Sequence, residues 1–227
     1  MAEKHLDFSR QAEAVITTYL HDHFSPQEAE QLYDALNQTY HEFLKTLPNL
    51  GGKKNKQAGS VYDCISLFAL YEVLPEKPTL EIFEHMVSQL FVVPYQRLSF
   101  ADMNCPCLQR LAASIFNHLS KSSQKHAAEW TGNDHMYAEP YDPEAGVHFH
   151  FTTCPIADFA KSHGYTHLMP AMCNPDYPSM AAIHAALIRT KTCAEDDCCD
   201  YWILGDRDPR VSEHPLYKDE QGFLKNK

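Results

Sequence analysis

Apolar residues recur every three or four positions through the first half of the chain and every second position in parts of the rest. From Leu6 to Phe24 the positions Phe8, Ala12, Val15, Ile16, Tyr19 and Leu20 share one face of a helix. Ser25-Pro26-Gln27-Glu28 restarts the pattern, with Ser25 as N-cap, Pro26 at the first helical position and Glu28 at the third. This second helix reads to about Leu47 through Leu32, Leu36, Tyr40, Phe43 and Leu44, and Pro48 ends it. Residues 48–56 form a loop whose paired glycines and lysines are either a solvated basic turn or an anion contact, without P-loop spacing. Further helices are predicted over Val61 to Leu74, Leu80 to Phe91 and, after a loop around Pro94, Leu108 to Ser120.

The period changes near Asn133. Alternation such as Val147-His148-Phe149-His150-Phe151 predicts strands between His135 and Thr153. Ile156 to His163 reads as a short helix closed by Gly164, and Ser179 to Ala186 as another entered at Pro178. Leu187 to Cys193 and Cys199 to Leu204 read as strands around the acidic turn Ala194-Glu195-Asp196-Asp197, and the tail from Arg207 as loop. The predicted fold is α+β: a mainly helical part (1–125) packed on a small antiparallel sheet with short helices (133–206), in one domain spanning 1–227.

Composition narrows the function. A net charge of −11 disfavours nucleic-acid binding by bulk electrostatics. The N-terminus MAEKHLDFSRQAEAV lacks the apolar core of a signal peptide, and no run has the length of a membrane span. The expected location is therefore the cytoplasm, with no membrane partner and with the eight cysteines as free thiols.

Five of those cysteines fall between Phe151 and Asp206, interleaved with Asp176, His184, Arg189 and Asp200. Cys154 precedes a predicted helix at Pro155, where the dipole favours thiolate, and Cys173 lies in a loop ahead of another. Asp176 and His184 are near enough in sequence to converge on Cys173, His184 as base or proton shuttle. Arg189 in its strand is either a clamp for a substrate carboxylate or a solvated surface residue, and Asp200 either caps or pairs with it. A metal is an open alternative, with Cys154, Cys173 and Cys199 as the ligands and zinc as the ion. His148 and His150 share a strand face, which suits ligation or an ordinary surface. Cys105-Pro106-Cys107 and Cys198-Cys199 lack the Cys-x-x-Cys spacing of a redox site.

The strings Cys154-Pro-Ile-Ala-Asp-Phe-Ala-Lys-Ser-His-Gly164, Leu168-Met-Pro-Ala-Met-Cys173-Asn-Pro-Asp176-Tyr177, Arg189-Thr-Lys-Thr192 and Cys199-Asp200-Tyr201 resemble the L-2-amino-thiazoline-4-carboxylic acid hydrolase family. Leu47-Pro-Asn-Leu-Gly-Gly-Lys53 and Leu67-Phe-Ala-Leu-Tyr71 are similar to its N-terminal pattern. The resemblance runs from about Phe43 to Leu204 and implies opening of a cyclic amidine to a carbamoyl-cysteine. Glu195-Asp196-Asp197 stands where a glycine is expected, and Cys193 and Cys198 read as local additions that only pack.

The expected function is thus a hydrolase cleaving a C–N or C–S bond in a thiazoline-type amino-acid derivative. Cys173 or Cys154 would be the nucleophile, with Asp176, His184 and Cys199 in the catalytic group. Arg189, Thr192 and Asp200 would bind a small substrate carrying a carboxylate. No cofactor is required in this reading. The alternatives are a metal-dependent hydrolase using the same cysteines and a non-catalytic small-molecule or metal sensor.

Overall fold

The structure, a computed structural model, describes residues 6–132 and 134–227. The first five residues of the polar N-terminus and Asn133, where the sequence texture changes, lie outside the described residues. In chain order the elements are α1 (Arg10–His23), α2 (Pro26–Thr46), α3 (Ala58–Val73), α4 (Leu80–Gln96), α5 (Pro106–Lys125), β1 (Met136–Ala138), β2 (Val147–Phe151), α6 (Pro155–His163), α7 (Met169–Cys173), α8 (Asp176–Ala181), β3 (Ala185–Ile188), β4 (Cys199–Gly205), β5 (Leu216–Lys218) and β6 (Leu224–Asn226). This is the expected α+β class. Among the described residues no helix is long and apolar enough to cross a membrane.

Local chemistry sets most boundaries. Ser25 caps α2 in a reciprocal box with Glu28, and Pro26 opens it. Gly164 closes α6 at φ 81°, a left-handed conformation that costs glycine little. The loop around Pro94 is not formed, because α4 continues through that proline to Gln96. Proline supplies no N–H to the carbonyl four residues back. Gln11 of α1 compensates, donating through Nε2 to the carbonyls of Gln89 (2.8 Å) and Leu90 (3.3 Å), while Ser179 Oγ donates to that of Phe91 (3.1 Å). Outside hydrogen-bond donors thus let the helix run on.

Four differences from the sequence reading fall close to the candidate residues. The helix expected over Ser179 to Ala186 begins earlier, at Asp176, and ends at Ala181, so Ala185 and Ala186 open β3. Residues 169–173 are helical, which puts Cys173 at the C-terminal end of α7. The strand expected to reach Cys193 stops at Ile188, so Arg189 and Thr192 lie in irregular chain. The tail is not all loop, for β5 and β6 pair as a hairpin with Leu216 opposite Asn226.

The four-stranded sheet has the order β1-β2-β4-β3 with all neighbours antiparallel, Phe151 facing Cys199 and Phe149 facing Tyr201. On one face Met136, Val147, Phe149, Ala185, Leu187 and Ile203 pack with Met103 and Ala113 as one apolar cluster. A second cluster joins α1–α4 to α6, α7, Cys193 and Cys199. Stacked Phe68, Phe159 and Tyr165 (centroids 5.6 and 5.2 Å apart from Phe68) hold α6 on α3. Phe151 and Tyr201 touch both clusters. Continuing along the same face of β4, the alternation Ile203, Tyr201, Cys199 leads from the first cluster into the second.

Gly51 precedes the basic loop's 3-10 turn at φ 88°, and a Cβ there would stand 2.6 Å from the ring of buried Trp130. The left-handed backbone costs about 1–2 kcal/mol for a residue with a side chain, before any displacement of the indole. Gly51→Ala is therefore expected to destabilise the protein by at least that amount in urea unfolding. An unchanged midpoint would show that the loop adjusts freely.

Candidate active site

Arg189 is fully buried, with 0% of its surface exposed, immediately after β3. A buried guanidinium must be neutralised and hydrogen-bonded. Its Nη1 donates to Asp176 Oδ2 at 2.8 Å and to the Tyr201 hydroxyl at 3.4 Å, and its Nη2 donates to the Cys173 carbonyl at 3.1 Å. Tyr201 in turn donates to the same Asp176 oxygen at 2.8 Å. The guanidinium also lies over the rings of Tyr177 (5.1 Å) and Tyr201 (5.7 Å). Arg189 Nε has no hydrogen-bond partner among the described residues. Although burial pulls the Arg189 pKa down, Tyr201 and Asp176 outweigh it and keep the side chain charged. The solvated alternative for Arg189 is thereby overturned: it is an interior cation that ties α8, the end of α7 and β4 together.

Three sequence-predicted thiols meet around this pair but differ in character. Cys154 caps α6 as expected, yet burial pushes its thiol well above the ordinary range, outweighing the helix end. Cys173 ends α7 rather than preceding a helix, and burial lifts its thiol to about 12 despite Arg189. Cys199 is held below the usual thiol range, first by the Cys193 thiol, then against burial by the Cys193 N–H and by Arg189. That backbone N–H donates to Cys199 Sγ at 3.0 Å. The Cys193 thiol is driven up by the same contact with Cys199 and by burial. Cys193 is therefore not a packing residue only: its N–H donates to the one thiol of this cluster held below the usual range, and its own thiol lies 3.5 Å from the Phe151 carbonyl. Cys64 on α3 is buried, and its thiol is raised first by burial and further by the nearby charges, among them Asp63, Asp134 and Asp176.

Asp134, in the loop before β1, lies near enough to raise the thiols of Cys154 and Cys193 through its charge. Burial, with Asp158 adding repulsion, raises its own carboxyl to about 7. A carboxyl poised there suits proton transfer in either direction near neutrality. The sequence offered no periodic signal for it, since it lies in an irregular connection. Tyr201 was more accessible to inference: two residues after Cys199 on a strand, it must share that residue's face.

Two expected members lie elsewhere. His184 is in a turn at φ 56°, exposed, with Nδ1 3.3 Å from Asp206 Oδ2. It adjoins Ala185, which pairs with Gly205 at the end of β4 remote from Cys199, roughly 20 Å away by strand rise. The helix that was to carry it toward Cys173 ends first. Asp200 does not pair with Arg189, because it projects from the opposite face of β4 and accepts from Thr190 N (2.9 Å), Thr190 Oγ1 (2.7 Å) and Lys191 N (2.6 Å). Thr192 is fully buried beside Cys193, its Oγ1 without a partner among the described residues. His148 and His150 do share a face, but each stacks on an aromatic neighbour, Trp202 and Tyr137 respectively. Among the described residues no group of three His, Cys, Asp or Glu side chains stands where it could hold one metal ion. A groove of about 990 Å³ between α1 and α4, with Arg10 and Arg97 on its rim, includes none of the cluster residues.

The L-2-amino-thiazoline-4-carboxylic acid hydrolase family matches the chain over residues 7–203, and the protein belongs to that family of hydrolases. No curated protein and no solved structure matches it.

The raised Asp134 carboxyl has a consequence for stability that does not depend on substrate. A carboxyl near 3.9 when unfolded and about 7 when folded binds more protons in the folded state between those values. Its contribution is present below about pH 4 and is lost as pH rises through about 7. Asp134→Asn, which cannot ionise, is expected to gain melting temperature relative to wild type between pH 5.5 and 8. Parallel pH profiles would contradict the assignment.

Proposed function

We propose that this member of the family hydrolyses a 2-amino-thiazoline carboxylate, with Cys199 as nucleophile and Asp134 as the proton-transferring group. The observation that carries the reading is the Cys193 N–H donating to Cys199 Sγ at 3.0 Å, beside the Arg189 cation. A thiolate needs such donors and a nearby positive charge to persist in a buried place. The family's substrate supplies the electrophile, the amidine carbon between ring sulfur and nitrogen.

Cys199 sulfur adds to the amidine carbon of the protonated ring, forming a C–S bond and a tetrahedral centre. That centre collapses by breaking the bond to the ring sulfur, which leaves as thiolate and takes a proton from Asp134. The amidinium carbon remains attached to Cys199. Asp134, now a carboxylate, removes a proton from water as the oxygen adds to the same carbon. The Cys199 thiolate then departs, and transfer of the remaining proton to solvent leaves a urea carbonyl. The sum is one water consumed and one C–S bond of the ring broken. Asp176 is suited to face the amidinium, since its Oδ2 is held by Arg189 and Tyr201 and its side chain is partly exposed. Arg189 acts by fixing that carboxylate and by favouring the thiolate, rather than as a free clamp.

Single replacements separate the thiols. Cys199→Ser is expected to lower kcat for ring opening by about 10³-fold or more, in line with loss of an activated nucleophile. Cys173→Ser and Cys154→Ser, lacking thiolate character, are expected to retain activity within about tenfold. Formation of the carbamoyl product from 2-amino-thiazoline-4-carboxylate is the assay. Wild-type kcat in Cys199→Ser would sink the assignment, and no turnover by the wild type would sink the substrate.

A further inference from the structure

The hairpin formed by β5 and β6 lies beyond residue 203, where the family match ends, yet its last strand reaches the centre of the cluster. Arg189 has left β3 and so has no sheet neighbour for its own backbone groups, while its side chain is wholly buried. Unmet backbone groups in such a place are costly. Asn226 satisfies both: its Oδ1 accepts from Arg189 N at 3.0 Å, and its N–H donates to the Arg189 carbonyl at 2.8 Å. The same Oδ1 accepts from the Tyr177 hydroxyl at 3.0 Å, and Nδ2 donates to the His214 carbonyl at 2.8 Å. Asn226 is itself only 7% exposed.

The hairpin is anchored at several further points. Asn174, between α7 and α8, donates to the Gly222 carbonyl at 3.0 Å and accepts from Leu224 N at 2.8 Å. Phe223 is buried in the helical core, and Lys225 pairs with Glu195 (2.6 Å) and Asp219 (3.1 Å). The Asn174 and Asn226 bonds fall on the segments that carry Cys173, Asp176 and Arg189, and the Lys225–Glu195 pair falls on the turn that precedes Cys199.

We propose that the C-terminal hairpin is part of the site, with Asn226 as the positioning residue that fixes Arg189 and, through it, Asp176 and Cys199. The proposal rests on the reading of Cys199 as the reactive thiol. It assigns Asn226 no contact with substrate. A misplaced guanidinium would lose its hold on the Asp176 carboxylate and its proximity to the Cys199 sulfur, and displacements of that kind cost orders of magnitude in rate.

The test compares wild type, Asn226→Ala and Asn226→Asp in the full-length protein. Iodoacetamide labelling of Cys199 is followed by peptide mass spectrometry from pH 6 to 9, with kcat and KM for ring opening measured alongside. Asn226→Ala is expected to slow Cys199 labelling at pH 7 about tenfold and to lower kcat by a similar factor, with KM changed less. Asn226→Asp, which can still accept from Arg189 N and Tyr177, is expected to recover most of both. A folded Asn226→Ala protein with the wild-type labelling profile would overturn the proposal, as would an Asp variant no better than Ala. Should Asn226→Ala not fold, Tyr177→Phe removes the 3.0 Å bond to Asn226, together with a longer 3.4 Å bond to the Arg189 carbonyl, and leaves the hairpin's backbone pairing. It is expected to slow labelling two- to fivefold, and an unchanged profile would overturn the proposal. A wild type that labels at Cys199 but opens no thiazoline ring would end the substrate reading alone, with labelling still deciding the role of Asn226. A wild-type Cys199 that never labels would end both.

Discussion

A guanidinium without solvent is the constraint from which the candidate site follows. Moving such a charge out of water costs several kcal/mol after relaxation, and only an opposed charge with well-placed acceptors offsets it. Arg189 obtains the charge from Asp176, acceptors from Tyr201 and the Cys173 carbonyl, and two ring faces from Tyr177 and Tyr201. These partners come from the end of α7 (Cys173), the start of α8 (Asp176 and Tyr177) and β4 (Tyr201), so satisfying one side chain fixes the relative placement of α7, α8, β4 and the segment after β3. The same requirement leaves Asp176 with one oxygen bound twice and Cys199 close to a permanent positive charge.

The two apolar clusters bring those stretches within reach of each other. One face of the sheet packs with α5, while Cys199 at the end of β4 enters the cluster built on α3, α6 and α7. Alternation along β4 places Tyr201 between them, its hydroxyl on Asp176 and its ring stacked 4.7 Å from Phe149. Thiols that share this apolar setting are pushed toward the neutral form, as Cys154 and Cys173 are. Cys199 escapes because the chain between Thr192 and Cys199 folds back and presents the Cys193 N–H to its sulfur. Asp196 holds that turn by accepting from Thr192 N at 3.0 Å. The acidic turn is thus more than a solvated loop.

Much of the fold was legible in the sequence because local chemistry governs it. The Ser25 box, the Gly164 cap and the period-two stretch at Val147 to Phe151 all stand where those patterns place them. Pro94 misled because its missing donor is compensated by Gln11, a partner 78 or more residues away that no local rule reveals. In the candidate site, Cys154, Cys173, Cys199, Asp176 and Arg189 were marked by residue type, spacing and the family resemblance, and the fold places them near one another. Their ranking was not legible, since burial and hydrogen bonding decide it. A helix end that would favour thiolate at Cys154 is overruled by desolvation, and a cysteine that looked like filler at 193 supplies the decisive hydrogen bond. His184 was misplaced for a geometric reason: a helix five residues shorter than expected at its C-terminal end turns the chain into β3 before that side chain can reach the thiols.

On the reading of Cys199 as the nucleophile, a fixed guanidinium, not merely a positive charge, organises the site. Arg189→Lys tests it most directly, because an ammonium keeps the charge but cannot bond Asp176, Tyr201 and the Cys173 carbonyl in one plane or stack on two rings. With folding verified by circular dichroism and a cooperative melt, kcat for ring opening is the measurement. It is expected to fall by about 100-fold or more in a folded Arg189→Lys protein. A folded variant with kcat within a few-fold of wild type would contradict that role of the guanidinium.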